Sequence, residues 1–118
     1  HFEKKEFKQT LSLINTLRYE SLFTKMDERR IRLMCYYELK MHDSLSDLVN
    51  SFRKFISAHK KGIPENYIQE NRLFLNFVQR ILKAKIKSVR EQRVLADKIR
   101  QVPVLPEKEW LLYKLGYV

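Results

Sequence analysis

The chain has 118 residues, 44% hydrophobic and 32% charged, which supplies a folded core and excludes a disordered chain. With only 2 Gly and 3 Pro it lacks the regularly spaced turn residues of a β-protein, so an all-α fold is predicted. The lone Cys35 excludes an internal disulfide and a cysteine zinc cluster, no apolar run reaches the length of a membrane span, and a net charge of +10 points to acidic partners.

The predicted elements follow a faint internal repeat. Phe2-Glu3-Lys4-Lys5-Glu6-Phe7 returns 35 positions later as Tyr37-Glu38-Leu39-Lys40-Met41-His42. An apolar helical face opens at the same offset after each copy: Thr10, Leu11, Leu13 and Ile14, then Leu45, Leu48 and Val49. A repeat of this length marks stacked helix–turn–helix units. The first helix is predicted from Glu6 to Leu17, with Phe7, Leu11 and Ile14 in one stripe. A looser stretch follows, from Arg18 to Met26.

Asp27 is expected to cap the second helix, and Met26 with Ile31 to staple it. Ile31, Met34, Cys35 and Leu39 would form its buried stripe, ending near Lys40. Asp43 or Ser44 is expected to cap the third helix, Ser44 with Asp47 reading as a capping box. Its apolar face is Leu45, Leu48, Val49, Phe52, Phe55 and Ile56. His59, Lys60, Lys61 and Gly62 suit its carboxyl end. Pro64 opens the fourth helix, where a missing N–H costs nothing. Tyr67, Ile68, Asn71, Phe74, Leu75, Val78, Ile81 and Leu82 line one broad face, flanked by Leu73 and Phe77. The stripe loses phase at residues 83–87. Ser88-Val89-Arg90-Glu91 then restarts it as a capping box, and the fifth helix carries Val89, Leu95, Ile99 and Val102. Pro103 and Pro106 bracket an extended connection. A last helix, from Glu107 to Leu115, stops at Gly116 and folds Trp110 back as a cap.

Residues 53–101 carry 13 basic and 4 acidic side chains against 9 and 8 in residues 1–52, so the excess charge sits in the later helices. Arg80, Lys83, Lys85, Lys87, Arg90 and Arg93 are its centre, with Lys98 and Arg100 behind them. Such a run reads as a polyanion-binding surface or as a solvated face. No aromatic stands between Phe77 and Trp110 to stack on a base, which ranks nucleic acid second among the partners. Arg29, Arg32 and Tyr36 form another anchor set, for an acidic protein or peptide. Cys35 lies in an apolar stretch and is expected to be a buried, inert thiol. His1, His42 and His59 do not cluster, and Glu38 with His42 makes only two ligands, so no metal is expected. No nucleophile with a base and no glycine-rich phosphate loop stands out, so no catalytic residue, cofactor or enzymatic activity is expected.

The pairing of residues 27–40 with residues 44–60 resembles a tetratricopeptide-type (TPR-like) repeat. The points of resemblance are Tyr36-Tyr37-Glu38-Leu39, Ser51-Phe52-Arg53-Lys54-Phe55, Asn76-Phe77 and Glu109-Trp110-Leu111-Leu112. On these the chain is similar to the C-terminal part of uncharacterised bacterial proteins with degenerate repeats of this kind. The resemblance implies antiparallel helix pairs stacked as a short right-handed superhelical array of about six helices. It implies a concave side lined by the second and fourth helices and no catalytic activity. Lys40 stands where such repeats usually turn on glycine, and Leu45 where they usually carry alanine.

The expected organisation is a single helical-repeat module, 1–118. It comprises a truncated first repeat (1–17), a TPR-like helix pair (27–61), a second helix pair (64–102) and a C-terminal capping helix (106–118). The expected function is a non-catalytic, cytoplasmic protein–protein interaction or scaffold module, the C-terminal fragment of a larger protein, with no membrane contact. Self-association is expected at the first-repeat edge, where Phe7, Leu11 and Ile14 would stand partly uncovered.

Overall fold

A computed structural model describes residues 6–11, 21–84 and 88–117. Among these residues there is no strand, and six α-helices follow one another. They are α1 (6–11), α2 (Leu22–Glu38), α3 (His42–Ala58), α4 (Glu65–Ala84), α5 (Val89–Gln101) and α6 (Lys108–Lys114). The chain divides into two compact units, His1–Pro64 and Glu65–Val118. The remainder of the predicted first helix, and residues 2–5 of the repeat's first copy, lie outside the described residues.

In the first unit α2 and α3 pack on each other as a helical hairpin joined by residues 39–41. The α2 start differs from expectation. Ser21, not Asp27, is the N-cap, its Oγ accepting from the Thr24 N–H at 3.1 Å. No Gly or Pro interrupts residues 15–61, so the helix extends back to that hydroxyl. The inward face shifts accordingly. Met26, Leu33 and Cys35 are buried, whereas Ile31, Met34 and Leu39 are half-buried.

At its carboxyl end α2 closes with the Lys40 N–H on the Tyr37 carbonyl and the Met41 N–H on the Tyr36 carbonyl. This is a Schellman turn. The turn returns the chain so tightly that Leu45 N–H already reaches the Met41 carbonyl. Met41 therefore takes the N-cap position of α3 without a side-chain bond, and the expected Asp43 or Ser44 cap is not used. Leu45, Val49, Phe52 and Ile56 face inward from α3, all at 1% exposure or less, as their spacing predicts. Gly62 ends a short 3₁₀ turn rather than α3 itself, whose C-cap is His59. A Cβ on Gly62 would stand 2.7 Å from Leu22 Cδ1, so glycine permits a close approach to the start of α2. Of the expected first-repeat edge, Phe7 of α1 is 5% exposed and Leu11 is half-buried, while Ile14 lies outside the described residues.

In the second unit α6 packs against both α4 and α5. Ile68, Phe74, Leu75, Val78 and Ile81 are buried along α4, and Phe77, expected on the flank, is buried with them. Asn71 shares this face and satisfies its amide by donating to the Tyr67 carbonyl at 2.8 Å. Leu95, Ala96 and Ile99 form the inward face of α5, while Val89 is exposed in its first turn. The expected Ser88 cap is present, its Oγ accepting from the Glu91 N–H at 3.1 Å. From α6, Leu111 is fully buried and Trp110 rests beside Phe74, ring centroids 6.5 Å apart. Tyr117 N–H to Leu112 O and Gly116 N–H to Tyr113 O close α6 in a second Schellman turn, with Gly116 at φ 87°.

Candidate functional site

Two sets of cations compete as the site. Helical spacing brings Arg29, Arg32 and Tyr36 to one face of α2. There they are held by neighbours. Arg29 donates to the Lys25 carbonyl (3.0 Å), lies over the Phe55 ring of α3 (3.9 Å) and stands 4.0 Å from a Glu28 carboxylate oxygen. Arg32 donates from Nε to Glu28 Oε1 at 2.5 Å. Glu28 itself is buried. Burial pulls the Arg29 guanidinium below its ordinary pKa, with Glu28 opposing and Arg32 adding to the shift. Burial pulls on Arg32 too, but its interactions with Tyr36 and Glu28 outweigh it, and its pKa rises. The Arg29–Phe55 contact ties α2 to α3, the others brace α2 itself, and both Arg32 and Arg29 lie against the Glu28 carboxylate.

The second set differs in every respect. Arg80 and Lys83 on α4, and Arg90 and Arg93 on α5, are exposed. None of the four has an ion-pair partner among the described residues. Lys85 and Lys87 lie outside the described residues. Behind this group Lys98 is exposed, and Arg100 pairs with Asp97 at 3.2 Å and approaches the Tyr117 ring at 5.1 Å. An open cleft of about 480 Å³ joins the two helices, lined by Arg80, Ser88, Arg90, Glu91, Val94 and Leu95. Its α5 wall is two helical rows, Arg90 with Val94 and Glu91 with Leu95, each four residues apart. Arg80 and Arg90 thus share one depression, while Lys83 and Arg93 are outside its lining.

Sequence reading names Glu91 only as part of the Ser88 capping box and does not single out Val94. Val94 is out of phase with the buried stripe, and 47% exposure confirms that it faces solvent. An apolar residue out of phase beside an arginine at helical spacing is the signal that marks it.

Among the described residues no three His, Cys, Asp or Glu side chains assemble as metal ligands would, and no helix is long and apolar enough to cross a membrane. Cys35 is 1% exposed, and burial pushes its thiol up to about 11, with Arg32 opposing and Glu38 adding. A thiol in that state is a poor nucleophile. Comparison with known proteins finds no family model, no curated protein and no solved structure that matches the chain.

Proposed function

We propose that this chain is a non-catalytic interaction module that docks an acidic protein segment on the cations of α4 and α5. The observation that carries the reading is the exposed, unpaired state of Arg80, Lys83, Arg90 and Arg93 among the described residues. Unpaired surface cations attract an anionic partner over a Debye length and fix its register on contact. The α2–α3 hairpin, with its three-residue turn, supports a TPR-like helical repeat as the scaffold. In this reading Arg29, Arg32 and Tyr36 stabilise the scaffold, and the docking role moves to the second unit.

The test is fluorescence anisotropy with labelled poly-glutamate, a neutral glycine–serine peptide and a single-stranded RNA. Poly-glutamate should bind at low salt, weaken as salt rises, and release from the Arg90→Glu/Arg93→Glu variant. The neutral peptide should not bind. Absence of poly-glutamate binding at low salt overturns the proposal. RNA binding far tighter than poly-glutamate, with a steep salt slope, assigns the surface to nucleic acid instead.

A further inference from the structure

We propose, resting on the acidic-partner reading, that the cleft between α4 and α5 seats an apolar side chain of that partner, flanked by carboxylates on Arg80 and Arg90. Charge alone needs no cleft, and a solvated basic face needs no exposed valine. Here the two coincide. Val94 opens onto the cleft at 47% exposure, and Leu95, 5% exposed, lies in the lining next to it. Arg80 and Arg90 provide the cationic part of the same lining. The space, about 480 Å³, accommodates a large aliphatic or aromatic side chain.

The occupant is therefore an acidic protein segment with an apolar anchor, for three reasons. Apolar surface ringed by arginine is the make-up of an interface core with anchors at its rim. A phosphate backbone gains nothing from Val94, and no aromatic between Phe77 and Trp110 offers a base its face. A second copy of this chain would bring its own net charge of +10 against these arginines.

The experiment compares two labelled acidic peptides that differ only at their centre, one with adjacent Leu and Phe, the other with two Ala. The Leu–Phe peptide should bind about tenfold more tightly or better. Val94→Ser, a change at an exposed position, should bring that ratio close to one and leave the Ala peptide's affinity unchanged. Arg80→Gln/Arg90→Gln should weaken both peptides alike, with helicity by circular dichroism confirming the fold of each variant. Equal affinity of the two peptides for the unaltered chain overturns the cleft proposal while leaving an acidic partner in place. Failure of both peptides to bind at low salt removes the acidic-partner reading itself. Tighter binding of single-stranded RNA than of either peptide, unmoved by Val94→Ser, overturns both in favour of nucleic acid.

Discussion

Lys40 and Gly116 occupy the same position in two helix ends and solve it differently. Both sit at positive φ, 58° and 87°, and both begin a Schellman turn. An L-residue in the left-handed region costs about 1 kcal/mol or more, which glycine avoids. Lys40→Gly should raise stability by about 0.5–1 kcal/mol, seen as a higher urea midpoint at unchanged slope. Gly116→Ala should lower it by about 1 kcal/mol. A Cβ at Gly116 meets nothing within 4 Å, so the loss would be purely conformational. Cys35 supports a chemical prediction. Its thiol ionises near 11 rather than in the ordinary range near ~8.5, so at pH 8 the folded chain should alkylate about a hundredfold more slowly than the unfolded chain. The stabilisation is complete below the unfolded value and is lost as pH rises toward 11, because unfolded chains release the proton first. Burial, with Glu38 adding, also raises Tyr37, which contributes in the same direction. Urea midpoints at pH 8 and pH 10.5 should fall less for Cys35→Ala than for the unaltered chain.

At the scale of the helix, stability depends on how each end disposes of its backbone groups. Ser88 takes one orphan N–H of α5, and Ser88→Ala should cost about 1 kcal/mol. The other end of α5 is closed from outside the helix. Lys108 Nζ donates to the Arg100 carbonyl at 3.3 Å and the Val102 carbonyl at 2.5 Å, reaching back across the Pro103–Pro106 connection. Lys108→Met keeps the apolar stem and removes the donor, at an expected cost of about 1 kcal/mol, and hydrogen exchange should show the last turn of α5 opening first. Legibility in the sequence divides along the same line. The inward face of α3, the Ser88 cap and the Gly116 stop are local signals, and each reads directly. The Lys108 contact joins residues six and eight apart through a turn whose path no periodicity encodes. The start of α2 misled for a related reason. Asp27 has the chemistry of a cap, but Ser21 has it too and lies earlier, and Asp27 pairs with Arg30 inside the helix. Gly62 reads as a helix stop by composition, whereas in the fold it ends the 3₁₀ turn and lies close to the Leu22 side chain, a tertiary fact.

For the whole molecule, the informative quantity is where the positive charge is already neutralised. The two units carry 13 basic against 8 acidic and 11 against 6 side chains, so each has the same net charge of +5. Net charge per unit therefore does not separate them, although the sequence concentrates its excess of cations in residues 53–101. Geometry separates them. In α2, Arg29 and Arg32 flank a buried Glu28, and Arg30 pairs with Asp27. In α4 and α5, Arg80, Lys83, Arg90 and Arg93 have no such partner among the described residues; Glu91 and Asp97 are the only carboxylates between residues 80 and 100, and Asp97 pairs with Arg100. The two groups should respond oppositely to mutation. Arg32→Ala leaves Glu28 without its strongest partner and should destabilise the fold by about 1–3 kcal/mol, with little effect on poly-glutamate binding. Arg90→Ala/Arg93→Ala removes charges that no carboxylate holds, so the urea midpoint should stay within about 0.5 kcal/mol of the unaltered chain while poly-glutamate affinity falls. The two readouts together decide the assignment. Loss of binding in Arg32→Ala at unchanged stability would return the docking surface to α2, since only an arginine that reaches the partner can weaken binding without weakening the fold.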